Sequence, residues 1–197
     1  MSSNYTGLGI QLMTTGEKAG TWGTLTNTNW NIIEQISGGY TTQAVTDGAD
    51  TDLSVNDGTA GATLAHRVIE LTGSLSGARN VTIPLDVQTF YILKNSTTGS
   101  QDVVFKYVTG SGGSVTFSGG DTGTKIVYAT ANDVTNPDII DATSAFVTAS
   151  STTTLTNKTL TAPKFASGGF IADAGGDENL VFTEVSTPVN ELRITNA

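Results

Sequence analysis

The residues best equipped to do chemistry in this 197-residue chain are few and widely spaced. His66 is the only histidine, and cysteine is absent. Thiol nucleophiles, disulfides and cysteine-ligated zinc are therefore excluded. A hydroxyl nucleophile needs a base within hydrogen-bond reach, but no G-x-S-x-G elbow or comparable paired motif accompanies His66. His66 lies in Ala62–Ile69 (ATLAHRVI), at the head of an apolar run, where a surface or strand-edge imidazole is expected. Carboxylates cluster at Asp47–Asp57 (DGADTDLSVND) and Asp173–Glu178 (DAGGDE). Clustered oxygens are what a calcium site requires, yet neither stretch matches D-x-[DN]-x-[DN]-G with its distal glutamate. Solvated turns are expected there, and no metal or other cofactor. The GSGG at Gly110–Gly113 lacks the Lys-Ser/Thr of a phosphate loop and reads as a turn. Glycoside cleavage needs two carboxylates flanking a cleft. A pocket rimmed by Tyr91, Tyr107 or Tyr128 with acidic residues is what a carbohydrate-binding or carbohydrate-cleaving protein would use. No motif here calls for catalysis, and the chain is expected not to be an enzyme.

Composition points the same way. Nine basic residues stand against 18 acidic ones, giving a formal net charge of −9. The three arginines and six lysines are scattered, so a polyanion-binding surface is not expected. Thr, Ser, Asn and Gly make up 87 of the 197 residues. So much Thr and Gly disfavours a helical bundle. Hydrophobic residues still reach 37%, enough to close a core. No apolar run is long enough to span a bilayer. The first residues, MSSNYTGLGI, have no basic segment followed by an apolar one, so no secretory leader is expected.

Four regions separate along the chain. Residues 1–40 hold both tryptophans and the clearest helical pattern. Trp22, Leu25, Trp30, Ile32, Ile33 and Ile36 recur at roughly helical spacing, predicting a helix over Thr24–Ser37. Thr24 or Thr26 could cap its start, and Gly38-Gly39 would stop it by adopting the left-handed conformation. Such a helix could pack on its own domain or be buried between subunits. A segment of about 40 residues closes a core with difficulty, which makes partner burial physically reasonable. Trp22, Leu25, Trp30, Ile33 and Ile36 are the candidate trimer or docking contacts.

Residues 41–149 read as all-β. Candidate strands are Val68–Thr72, Asn80–Leu85, Thr89–Lys94, Asp102–Val108, Ser114–Phe117, Lys125–Ala129, Asp138–Asp141 and Ala145–Thr148. Their even rhythm is that of a β-sandwich or barrel. Period two places Val81, Ile83 and Leu85 on one face, and likewise Val103, Phe105 and Tyr107, and Ile126 and Tyr128. These sets are the expected core. Residues 150–164 (SSTTTLTNKTLTAPK) read as an extended connector, since Pro163 disfavours helix at Ala162. Residues 165–197 carry two more short runs, Asn179–Glu184 and Asn190–Thr195. Two strands cannot bury a core alone. This region is expected to pack back on the domain or to associate with its own copies. The chain ends at ITNA without a terminal helix, and is expected to be the front part of a longer protein.

A family resemblance attaches to these segments. Tyr5–Tyr40, above all GEKAGTWGTLTNTNW at Gly16–Trp30 followed by IIEQI, resembles the amino-terminal region of tail-fibre and related virion structural proteins of marine tailed phages, notably those of cyanobacteria. Arg67–Ile140, with RVIELTGSLSGARNVTIP and then FYILKNSTTGSQDVVFKYVTGSG, is similar to the β-module that follows in such proteins. TTTLTNKTLTAPKF at Thr152–Phe165 resembles a fibre connector, and ENLVFTEVSTPVNELRITNA resembles the first unit of a repeated shaft. The resemblance implies a mainly β homotrimer of four parts. These are an attachment segment at 1–40, a β-sandwich module at 41–149, a connector at 150–164 and the start of a trimeric fibre shaft at 165–197. It implies a virion location on the tail, assembly in the host cytoplasm, and phage tail proteins (nozzle, adaptor or baseplate) as partners. Distal parts would face host cell-surface polysaccharide; nucleic acid and membrane insertion are not implied. As a departure from the family, no large carboxy-terminal receptor-binding or lyase domain is expected within these 197 residues. A capsid-surface fibre or decoration protein is the nearest alternative, and a carbohydrate-binding surface protein the next.

Overall fold

The computed structural model describes residues 4–131 and 135–146, together with the backbone of Phe170–Ala172 and Glu178–Val181. The chain divides into two compact units, Met1–Val147 and Thr148–Ala197. The fold is mainly β, with one α-helix among the described residues. In chain order the first unit runs β1 (Asn4–Tyr5), β2 (Gln11–Leu12), α1 (Trp22–Gly38), β3 (Tyr40–Ala44), β4 (Thr51–Asp52), η1 (Thr63–Ala65), β5 (Val68–Ser74), β6 (Arg79–Ile83) and β7 (Gln88–Thr98). It continues with β8 (Val103–Tyr107), β9 (Val115–Phe117), β10 (Thr124–Thr130), β11 (Ile139–Asp141) and the 3-10 turn η2 (Ala142–Ala145).

From β3 to β8 successive strands alternate between two sheets. One has the order β11-β10-β7-β5-β3 and the other β4-β6-β8-β9. Neighbours β3, β5 and β7 are parallel, and so are β4, β6 and β8. The chain therefore winds, each circuit laying one strand on each sheet. Val68 stands opposite Ile92 and Arg79 opposite Val103, so the later circuit takes 24 residues in both sheets. The winding then ends: β9 pairs antiparallel with β8, β10 with β7, and β11 with β10. An even strand rhythm is equally compatible with hairpins and with winding. Short corners decide between them by carrying the chain across to the other sheet instead of back along the same one. At two corners the circuits touch backbone to backbone. Gly73 (φ +129) and Gly99 (φ +99) sit where a Cβ would lie 2.8 Å from the Val45 carbonyl and 1.9 Å from the Leu75 carbonyl. Only glycine accepts both that conformation and that approach.

One apolar cluster draws on both sheets, including Ile69, Leu71, Val81, Ile83, Tyr91, Leu93, Val103, Phe105, Phe117 and Val127. Tyr91 and Phe105 meet edge to face at 6.1 Å between centroids. The expected inward sets Val81/Ile83 and Val103/Phe105/Tyr107 lie in this core, with Leu85 packed partly against it. The set Ile126/Tyr128 does not. In β10 it is Val127 and Ala129 that point inward, while Tyr128 is 43% exposed. This strand is apolar at both parities, so pattern alone does not choose its face. The register beside Tyr91 does, placing the smaller Val127 opposite that buried ring.

Helix α1 begins at Trp22, two residues before the predicted start, with Thr21 in the cap position. The Thr21 hydroxyl donates to the Lys18 carbonyl, so it gives the helix no side-chain cap. The glycine stop works differently from expectation. Gly39 is extended (φ −64, ψ 145), and its need for glycine is steric. A Cβ there would fall 2.8 Å from the Gln35 backbone and 2.9 Å from the His66 ring. The strand expected at Ala145–Thr148 is not formed at its start. Residues 142–145 are η2, because Asp141 accepts from the Thr143 N–H and Ser144 donates back to the Asp141 carbonyl.

In the second unit, β12 (Phe170–Ala172) pairs antiparallel with β13 (Glu178–Val181). The predicted run Asn179–Glu184 falls partly on β13. The run Asn190–Thr195 and the connector at 150–164 lie outside the described residues.

Candidate functional site

The residues whose types suit chemistry are tied into the scaffold. His66 Nδ1 lies 2.9 Å from the Ala62 carbonyl, immediately before β5. In the first acidic cluster, Asp47 accepts from the Ser76 backbone (3.1 Å), the Ser76 hydroxyl (2.8 Å) and Arg79 (2.7 Å). Asp50 accepts from Asn80 Nδ2 at 3.0 Å, and Asp52 from the Thr82 hydroxyl at 2.6 Å. Each bond joins one circuit of the winding to the next, so this cluster is a lateral staple. The Ser76 and Arg79 bonds hold Asp47 below the usual carboxylate range. Among the described residues no group of three or more His, Asp or Glu side chains is placed to hold a metal. The cluster at Asp173–Glu178 lies outside the described residues apart from the Glu178 backbone.

The GSGG segment connects β8 to β9. Its Ser111 and Gly113 N–H groups donate to Asn136 Oδ1 and Asp138 Oδ1, leaving neither for a phosphate. The pocket around Tyr91, Tyr107 and Tyr128 that a carbohydrate-binding protein would use does not form. Tyr91 is buried with its hydroxyl donating to the Leu64 carbonyl (3.0 Å), and Tyr107 donates to the Val87 carbonyl (2.8 Å). Burial raises both phenols, and only Tyr128 of the three faces out. These two aromatics went into the core because β7 and β8 present them at inward parity.

What remains is apolar surface that no described residue covers. Helix α1 carries two stripes. Toward its own unit point Ile32, 1% exposed, and the half-buried Leu25 and Ile36; Ile32 and Ile36 pack against Ala62, Ala65, Ala60 and Ile10. The Asn29 side chain clamps the same face by bonding both the N–H (3.0 Å) and the carbonyl (2.9 Å) of Gln11. Away from the unit point Trp22 (64% exposed), Trp30 (62%) and Ile33 (37%). At about 100° per residue these three share one sector of the helix. The five candidate contacts are thus divided, with Leu25 and Ile36 turned inward and Trp22, Trp30 and Ile33 outward.

A second surface that no described residue covers escaped the sequence pattern. On the five-stranded sheet the outward row Tyr40–Val68–Ile92–Ile126 crosses four strands in register. A second row, Phe90–Tyr128–Ile140, lies beside it. Arg67 lays its guanidinium 3.8 Å from the Phe90 ring centroid and donates to the Phe90 carbonyl. The neighbouring row is polar. Glu70 there accepts from Tyr40, Ser96 and Lys94, the last at 3.4 Å, and these bonds, Ser96 first, hold its carboxyl down at about 2. The available signal was the unbroken apolar run Phe90–Leu93, whose lack of alternation marks a strand with both faces in use.

Comparison with family models, with curated proteins and with solved structures returned no match. No helix among the described residues is long and apolar enough to cross a membrane.

Proposed function

We propose that this chain is a structural component of a phage virion, a tail fibre or fibre adaptor that docks on the tail machinery through its amino-terminal segment and supports host adsorption. The observation that carries the reading is the outward stripe of α1. Two tryptophans, each more than 60% exposed, share a helix face with Ile33. Tryptophans set out on one face are typical anchors of protein interfaces. The resemblance of Gly16–Trp30 to fibre attachment segments falls on the same residues. The chemistry-bearing side chains, by contrast, are engaged in scaffold bonds, which supports a structural role over an enzymatic one. The β-module is then a two-sheet spacer, the connector at 150–164 a joint, and 165–197 the start of a trimeric shaft. The virion tail is its location. The sugar-binding alternative loses support because Tyr91 and Tyr107 are interior.

The test is incorporation. A chain carrying Trp30→Asp and Ile33→Asp is expected to fold with a melting temperature near that of the wild type, since both positions face solvent, yet to be missing from purified particles. Normal incorporation would overturn the docking role of the helix. Labelled chains seen on heads in micrographs, not on tails, would favour the capsid-surface alternative.

A further inference from the structure

We propose that the outward face of the five-stranded sheet is the surface through which copies of this chain join one another, leaving the tryptophan stripe of α1 to the docking partner. The proposal deepens the fibre reading by naming the surface of self-association, and rests on it only for the expectation that copies associate.

Three observations select a second copy as the occupant. The first is extent. The sheet is five strands wide, and over the four outward residues of β7 from Phe90 to Ser96 its face covers roughly 500 Å² in plan before side-chain relief is added. That approaches the ~800 Å² per partner of a standard interface. The stripe on α1 is about 17 Å long and one side chain wide, too small to hold copies together alone. The second is charge. The chain carries a formal −9, yet this face bears only Arg67, Glu70 and Lys94, with Glu70 and Lys94 paired at 3.4 Å. Copies meeting here escape the repulsion they would feel elsewhere, and a polyanionic partner finds no excess of positive charge. The third is composition. Tyr40, Phe90, Ile92, Ile126, Tyr128 and Ile140 form one band, with Tyr40 57%, Ile140 48% and Phe90 47% exposed. Branched aliphatics between the aromatics suit a dry protein contact better than a sugar platform.

The experiment is sedimentation of the full chain at micromolar concentration. The wild type is expected at a multiple of 20.3 kDa. Tyr128→Glu with Ile140→Glu should reduce it to the single-chain mass with an unchanged circular dichroism spectrum, while Trp30→Asp with Ile33→Asp keeps the assembled mass. A second readout does not depend on charge insertion. Because the chain has no cysteine, Tyr128→Cys and Val108→Cys each supply one thiol. The thiol at position 128 should react with maleimide at least tenfold more slowly than that at 108, and lose this protection on dilution to monomers. An unchanged mass for the Tyr128/Ile140 variant overturns the proposal and leaves the fibre reading standing. So does loss of assembly in the Trp30/Ile33 variant, which would put the copies on the helix. A monomeric wild type with a protected thiol at 128 also overturns it, since the band would then be covered by the chain's own remaining residues. A monomeric wild type with an unprotected thiol overturns it and counts against trimerisation as well.

Discussion

The winding from β3 to β8 and the helix α1 solve the burial problem in opposite ways. Each circuit of the winding lays its inward residues over those of the circuit before. Ile69, Leu71, Leu93, Val103 and Phe105 are all fully buried as a result. The corners Gly73 and Gly99 and the staples from Asp47, Asp50 and Asp52 fix how the circuits stack. The helix has little of this. It contains three Thr and three Asn, all weak helix formers, in Thr24–Asn31, lacks a side-chain cap, and has no acidic residue in its first turn or basic residue in its last. Only Ile32 is fully buried. Such a helix is held by packing on its neighbours, so its second apolar stripe is surplus to folding. The winding carries stability, and the helix carries surface for something else.

Removing one buried side chain from each region should separate them most clearly. Phe105→Ala, in the packed interior of the winding, is expected to cost about 3–5 kcal/mol of unfolding free energy, read by chemical denaturation. A loss below about 1 kcal/mol would mean that the two sheets are loosely packed. Ile32→Ala should cost less, about 2 kcal/mol at the low end of its class, because the cluster around it is small. Hydrogen exchange should then show α1 opening ahead of β5 and β7. Simultaneous opening of helix and strands would erase the contrast between the regions.

The smallest effect concerns acid. Glu70 is held at about 2 by Ser96, Tyr40 and Lys94, below the ordinary 4.5. A depressed carboxyl stabilises the fold above its unfolded value, and that contribution is lost as pH falls toward about 2. Glu70→Gln should therefore lower the melting temperature at pH 7 and flatten its decline between pH 5 and pH 2, so that the variant and the wild type converge in acid. Asp47 and Asp141 are lowered too, so part of the decline should persist. For Asp141, burial pushes upward and is outweighed by its bonds from Thr143 and Lys125. An identical acid limb in Glu70→Gln would show that the polar row contributes nothing to stability.

Residue types and their spacing were enough for the helix near Trp22–Gly38, for most strands between Val68 and Asp141, and for the turn role of Gly110–Gly113. These are local matters of period and backbone preference, legible without knowledge of neighbours. The inward sets of β6 and β8 were legible for the same reason. Three things required the tertiary structure. Parallel winding depends on which distant strand each strand meets, and that pairing lies 24 or more residues away. The face of β10 depends on register, because Ile126, Val127 and Tyr128 are all apolar and only the ring of Tyr91 decides which of them fits inside. The division of Leu25, Ile32 and Ile36 from Trp22, Trp30 and Ile33 depends on where Ala62 and Ala65 stand. Helical period identifies apolar residues that share a helix, but burial is a property of pairs of surfaces, and the second surface is written elsewhere in the chain.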